Sequence, residues 1–206
     1  METIKIEYII NTVQGEGRWC GTPATLVRTF GCPVSCPWCD TGYGENKTDH
    51  GYAVMELAEI LTACRERHVM ITGGEPMIHR QLPEICEALI EAGKFVQIET
   101  SGAFWQDVPD DVWVTFSPKD HCSSYKSKPQ FWARANEVKV VISDGREMDF
   151  YGEKLKSFKG EKLFQPEYER RQWSTPLCVQ LAREYGGRLS IQAHKLLGLQ
   201  IGRAHV

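Results

Sequence analysis

The sequence predicts an α/β protein built as an incomplete, TIM-like βα barrel. Strand and helix signals alternate along most of the chain, which implies a parallel sheet with helices outside it. The chain has 206 residues and too few strand–helix units for eight βα pairs, which usually take about 250 residues. Successive strand ends carry Gly, Pro or polar residues, as the rim of a site at the C-terminal face of such a barrel does.

Residues 4–10 form an apolar-rich extended run, and residues 24–30 a second strand that leads straight into a cysteine-rich loop. Val54, Leu57, Ala58, Ile60 and Leu61 make a stripe that predicts a helix over 54–67. Residues 69–72 read as a short strand ending at Gly73-Gly74. Residues 81–92 read as a helix with Gly93 as its C-cap. Strands follow at 95–98, 112–116 and 138–142, with a weaker one at 163–165. A helix over 175–185 closes at Gly186-Gly187, and 189–192 reads as the last strand. The Ser- and Lys-rich stretch 122–130 is expected to be the most mobile loop.

Hydrophobic residues make up 42% and charged residues 25%, ordinary for a soluble globular protein. A net charge of −3 offers no broad field for nucleic acid, and no apolar run approaches the roughly 20 residues that span a bilayer. Met1-Glu2-Thr3-Ile4-Lys5 lacks the basic start and apolar core of a signal peptide, so a reducing, cytoplasmic setting is expected despite eight cysteines. Cys64 and Cys86 fall in helical stripes and read as small core residues, whereas Cys20, Cys122 and Cys178 suggest no partner. One domain is expected over 1–206: an N-terminal segment 1–23, a βα core 24–198 and a tail 199–206.

The stretch Cys32-Pro33-Val34-Ser35-Cys36-Pro37-Trp38-Cys39 carries the most chemistry. Three thiolates bind three irons of a [4Fe–4S] cube and leave the fourth open to a small molecule. Structural zinc is one alternative, with Asp40 or His50 completing four ligands; no second pair of cysteines with knuckle spacing exists. A redox pair at Cys36 and Cys39 is another, and it leaves Cys32 idle.

Other strand ends add ligand chemistry. Thr72-Gly73-Gly74-Glu75-Pro76 sets a carboxylate beside bare backbone, suited to a ligand ammonium. Glu99-Thr100-Ser101-Gly102, Ser117-Pro118-Lys119 and Gln165-Pro166 follow on later strands; each alone is ordinary turn chemistry. Val13-Gln14-Gly15-Glu16-Gly17-Arg18 lacks a nucleotide-loop pattern, but Gln14 and Glu16 bring an amide and a carboxylate suited to a ring with N–H and C=O groups. Arg28 stands in an otherwise apolar strand, where a guanidinium is costly unless paired. It reads either as an outward-facing strand arginine or as a clamp on a substrate carboxylate, and the clamp is favoured.

The three-cysteine spacing with Trp38 before Cys39 resembles the signature of the radical S-adenosylmethionine (SAM) enzymes. The Gln14-to-Gly17 motif, the arginine before the cysteines, Asp40-Thr41, the glycine pair with Glu75, Glu99-Thr100-Ser101-Gly102, Ser117-Pro118-Lys119 and Gln192-Ala193-His194-Lys195 together resemble the 7-carboxy-7-deazaguanine synthases. The likeness runs from about residue 4 to residue 198. It implies a radical SAM barrel and conversion of 6-carboxy-5,6,7,8-tetrahydropterin to 7-carboxy-7-deazaguanine with loss of ammonia, in queuosine and other deazapurine biosynthesis. It implies a [4Fe–4S] cluster on Cys32, Cys36 and Cys39. It implies SAM held by Gly74, Glu75, Glu99, Ser101, Ser117, Pro118, Lys119 and Gln165, and pterin held by Val13, Gln14, Gly15, Glu16, Arg28, Thr72 and His194, with Val206 as a further contact. Magnesium is expected on Thr41 with Asp40 close by. A homodimer is implied, and a reducing donor such as a flavodoxin or ferredoxin is expected. Two other functions share parts of the pattern: a small radical SAM activase that makes a glycyl radical on a partner, and a non-enzymatic zinc or iron–sulfur module. The first leaves Gln14, Glu16 and Arg28 unexplained.

Overall fold

The computed structural model describes residues 3–43 and 51–199. Val206, expected as a substrate contact, and His50, named only for the zinc alternative, lie outside the described residues.

The chain enters on β1 (Thr3–Val13), which pairs antiparallel with β2 (Pro23–Thr29) on one edge and β3 (Ala53–Glu56) on the other. From β2 onward each neighbour is parallel: β4 (His68–Gly73), β5 (Phe95–Thr100), β6 (Trp113–Phe116), β7 (Glu137–Ile142), β8 (Glu161–Pro166) and β9 (Arg188–Leu189). The sheet order is β3-β1-β2-β4-β5-β6-β7-β8-β9, so β3 and β9 are its edges and the barrel stays open, as expected.

Strand side chains alternate between two faces. On the outer face Val69, Ile71, Val96, Ile98, Val138, Val140 and Ile142 join one large apolar core. The helices α1 (Leu57–Ala63), α2 (Leu82–Glu91), α4 (Met148–Ser157) and α5 (Arg171–Tyr185) supply its other side through residues such as Ile60, Leu89, Tyr151 and Leu181. The alternate positions His68, Gln97, Thr115, Glu137 and Lys139 are buried and polar, and they hydrogen-bond across the strands to one another or to residues of neighbouring elements. Trp19 closes the N-terminal end: its ring meets Phe95 at 5.1 Å, Trp113 at 5.5 Å and His68 at 6.3 Å, the first residues of β5, β6 and β4.

Several elements differ from the sequence reading. The predicted helix over 54–67 is split. Ala53–Glu56 is a strand on the edge of β1, with Val54 58% exposed, and the helix starts at Leu57, where the Glu59 carboxylate accepts the Glu56 N–H at 2.7 Å. Helix α4 was not anticipated. Its apolar positions Met148, Tyr151 and Leu155 are few, and Gly152 interrupts them. A Cβ at Gly152 would stand 3.0 Å from Tyr185 Oη, so the glycine lets α4 pack close to α5. The last strand ends at Leu189; the chain then crosses to the N-terminal segment, where Ala193 donates to the Gly15 carbonyl at 2.9 Å, and forms α6 (Ala193–Leu197). The loop over 122–130 is fastened by Ser123 Oγ donating to the Val34 carbonyl at 2.8 Å and Lys128 N donating to the Gly102 carbonyl at 2.8 Å. The short helix α3 (Phe131–Arg134) follows it.

Candidate active site

At the C-terminal ends of the parallel strands lies a cavity of about 260 Å³. Every expected site residue lines it except Pro118, which is buried, and Val206, which lies outside the described residues. The five polar strand ends therefore form one rim.

The three cysteines of the loop after β2 are half-buried free thiols on this wall. Cys39 N donates to the Cys36 carbonyl at 3.2 Å, and Cys39 Sγ is 3.1 Å from Thr41 Oγ1. Burial pushes the Cys32 thiol up to about 12. A hydrogen bond from Cys122, helped by Lys119, pulls the Cys36 thiol down to about 7 against burial. Cys122 is therefore placed beside the cysteine loop, which its sequence position did not reveal. Cys64, Cys86 and Cys178 are buried in the apolar core. Among the described residues no three His, Cys, Asp or Glu side chains already converge on an ion position. In kind and number, three accessible thiols in one loop fit a cube with one open iron, and they do not make a closed four-ligand zinc site.

The Gly73-Gly74 turn fits between this loop and β2. A Cβ at Gly74 would come within 2.5 Å of Cys32 Cβ, and Glu75 N donates to the Gly31 carbonyl at 3.0 Å. The Glu75 carboxylate is fully buried and takes four donors: Met77 N at 3.1 Å, Thr100 Oγ1 at 2.6 Å, Ser101 N at 2.9 Å and Ser101 Oγ. Four donors fill a carboxylate's acceptor positions. Glu75 thus braces the ends of β4 and β5 against each other and leaves the bare glycine backbone facing the cavity.

Beside this turn, Arg28 donates through Nε to Tyr8 Oη and through Nη1 to the Gly73 carbonyl at 3.1 Å. A guanidinium has five N–H donors, so donors remain for a ligand. Arg28 is buried beside Thr72 in the strand register, so the outward-facing reading of this arginine is set aside. Gln14 is taken up by protein partners: its Nε2 donates to Gln97 Oε1 at 3.0 Å and Glu99 Oε1 at 3.2 Å, and its Oε1 accepts Glu16 N at 3.0 Å. Glu16 accepts Gln192 Nε2 at 2.8 Å and pairs with Lys139. Lys139 also reaches Glu99 at 2.7 Å. Lys139 is missing from the sequence-based set, although a lysine in the apolar run Val138–Ile142 signals a buried partner.

His194 packs on Gly15, where a Cβ would fall 2.9 Å from the ring's Cγ. Both its ring nitrogens are buried without a hydrogen-bond partner among the described residues, and the ring lines the cavity. Burial keeps the imidazole below its usual range, hence neutral at pH 7. Lys119 Nζ is tied to Ser117 by bonds of 2.7 and 2.6 Å, and Gln165 Oε1 accepts Ser190 Oγ at 2.9 Å.

An open βα barrel with three thiols and a bare glycine backbone at its C-terminal rim is the architecture of a radical SAM protein, and the description of the Radical SAM superfamily matches residues 26–112. The chain is 33% identical to 7-carboxy-7-deazaguanine synthase of Escherichia coli (strain K12) over 222 residues, covering 94% of this chain and 98% of that one. It is 34% identical to the enzyme of the same name from Synechocystis sp. over 208 residues, covering 97% of each. The crystal structure of QueE from Escherichia coli superposes with a TM-score of 0.81 at 31% identity, covering 93% of this chain and 95% of that one. The chain belongs to the 7-carboxy-7-deazaguanine synthase family. Membership of the superfamily implies a [4Fe–4S] cluster and SAM. Among the described residues no helix is long and apolar enough to cross a membrane.

Proposed function

We propose that this protein converts 6-carboxy-5,6,7,8-tetrahydropterin to 7-carboxy-7-deazaguanine with loss of ammonia. The observation that carries the reading is one cavity that joins the cysteine loop and the glycine backbone to Arg28 and to His194, whose ring nitrogens have no hydrogen-bond partner among the described residues. The first pair suits a cluster and SAM; the second suits a polar ring with a carboxylate.

Cys32, Cys36 and Cys39 would hold the cluster, and Gly74, Glu99, Ser101, Ser117, Lys119 and Gln165 would receive SAM, with Glu75 holding the turn in place. Cluster and SAM, when bound, would supply reductive radical chemistry for hydrogen abstraction from the pterin. The chain's own residues position the pterin and keep water away. Arg28 takes the substrate carboxylate with donors not used on Tyr8 and Gly73. Neutral His194 offers one donor and one acceptor to the ring. Thr72 and the backbone of Val13, Gly15 and Glu16 complete the wall, while Gln14 shapes that loop from behind.

Magnesium is the finer part of the proposal. Thr41 Oγ1 would be its protein ligand, the substrate carboxylate a second, and water the rest. Asp40 is close but is held by Lys195 at 2.9 Å and Gln192 at 3.2 Å. A small reducing donor such as a flavodoxin or ferredoxin, a homodimeric state and a cytoplasmic location complete the proposal.

Metal analysis and ligand titration of anaerobically purified protein test it against its rivals. The reading requires about four irons per chain and carboxypterin binding that is lost in Arg28→Ala. One zinc without iron supports the binding module. Four irons without pterin binding supports the activase.

A further inference from the structure

Lys139 is 6% exposed, on a strand whose outer face is packed in the apolar core. Its Nζ donates to Glu99 Oε2 at 2.7 Å and to Glu16 Oε2. The two carboxylates come from separate parts of the chain, the loop after β1 and strand β5, and both line the cavity. Other charged or titratable groups surround them: Glu137 on the same strand, Lys119 after β6, His194 and Lys195 on α6, and Asp40 in the cysteine loop.

Two carboxylates in a dry site do not both ionise without a cation; one takes a proton or the pair moves apart. We propose that Lys139 is a positioning residue whose ammonium holds Glu16, on the pterin side of the cavity, and Glu99, on the SAM side, together as two ionised carboxylates. The inference rests on the functional reading above and deepens it. It explains why a buried lysine, costly to desolvate, occupies a strand between Val138 and Val140. It also explains the three-way tie between the N-terminal segment, β5 and β7, since Gln14 and Gln192 bond to the same two carboxylates. The charge states agree with the geometry. Burial pushes Glu16 up, yet Lys139 and the Gln192 amide hold it below the usual carboxylate range. Burial depresses Lys139, and Glu16 and Glu99 more than reverse this.

The test is calorimetric titration of the cluster-loaded, SAM-bound full chain with 7-carboxy-7-deazaguanine, from about pH 6 to about pH 8.5. The parent should bind with level affinity. Lys139→Met should bind about tenfold more weakly at the alkaline end and recover toward the acid end, as one carboxylate takes up a proton. Lys139→Arg should restore level binding. The double variant Lys139→Met/Glu16→Gln has one carboxylate left, so its affinity should no longer depend on pH. Iron content should be unchanged throughout. Equal losses for Lys139→Met at every pH, or none, would overturn the proposal in favour of a packing role. If Lys139→Met does not fold, the parent carries the test, because parent affinity that rises toward the acid end contradicts a cation-locked pair. A parent that binds SAM but not the deazaguanine overturns the functional reading, and this inference falls with it.

Discussion

Lys195 Nζ lies 2.9 Å from Asp40 Oδ2, so the C-terminal helix is tied directly to the cysteine loop across the mouth of the cavity. The same ammonium stands 4.5 Å from the centre of the Tyr168 ring, and Gln192 donates to the same Asp40 oxygen at 3.2 Å. Asp40 is thus already paired from the protein side, while the neighbouring Thr41 hydroxyl lies 3.1 Å from Cys39 Sγ and carries the proposed magnesium contact.

Thr41→Val keeps the shape and removes that oxygen. The cluster and SAM binding should persist, while stimulation of turnover by magnesium should be largely lost. In a magnesium titration of parent and variant, an identical response would assign Thr41 to its hydrogen bond with Cys39 alone.

Cysteine replacement separates loop from core. Cys32→Ala, Cys36→Ala and Cys39→Ala should each abolish the iron–sulfur absorbance and SAM cleavage. Cys86→Ala and Cys178→Ala sit in the apolar core, so they should lower stability by about 1–2 kcal/mol and leave the absorbance intact. Visible spectra and urea melts read the two outcomes apart.

Arg28→Ala and Glu75→Ala should fail differently. Loss of Arg28 removes a charged contact in a closed site, a change of about 2–5 kcal/mol in pterin binding, with SAM binding retained. Loss of Glu75 frees four donors at once and loosens the strand ends that carry Gly74 and Ser101, so SAM binding should weaken whatever the substrate. Equilibrium titration with each ligand separately decides both.

Glu137 gives a pH prediction. It is fully buried, bonded to Thr115 Oγ1 at 2.7 Å and Arg18 N at 3.2 Å, and burial with the nearby Glu99 charge pushes its carboxyl up. A raised carboxyl binds its proton more tightly in the folded state. Its contribution is present below the unfolded value and is lost as pH rises through the folded one. Glu137→Gln should therefore gain stability relative to the parent as pH rises above the ordinary carboxylate range. Urea midpoints for both proteins at several pH values check the sign; a constant difference would contradict it.

Much of this site was legible because glycines, cysteines and strand-end polar residues are rare enough to stand out. Gly74, Glu75, Ser101 and Lys119 were placed by strand order alone, since parallel strands bring their C-terminal ends to one rim. Lys139 was missed because it lies inside a strand, where a single polar residue reads as outward-facing until both faces are known to be buried. Tyr8, which holds Arg28, was missed for a similar reason: β1 was read as an apolar run, and its antiparallel register with β2 brings Tyr8 opposite Arg28 only in the folded sheet. Helix α4 was hidden by Gly152, whose packing reason lies on α5. That the Glu75 carboxylate takes four protein donors was not accessible from the motif, because three of them come from Thr100 and Ser101 at the next strand end.

The most direct test is anaerobic incubation of the reconstituted protein with SAM, a reductant, magnesium and 6-carboxy-5,6,7,8-tetrahydropterin, with products identified by mass. The account predicts 7-carboxy-7-deazaguanine and one ammonia for each pterin consumed, dependent on both SAM and the three cysteines. Reductive SAM cleavage with the pterin recovered unchanged, or the same product from the Cys36→Ala protein, would contradict it.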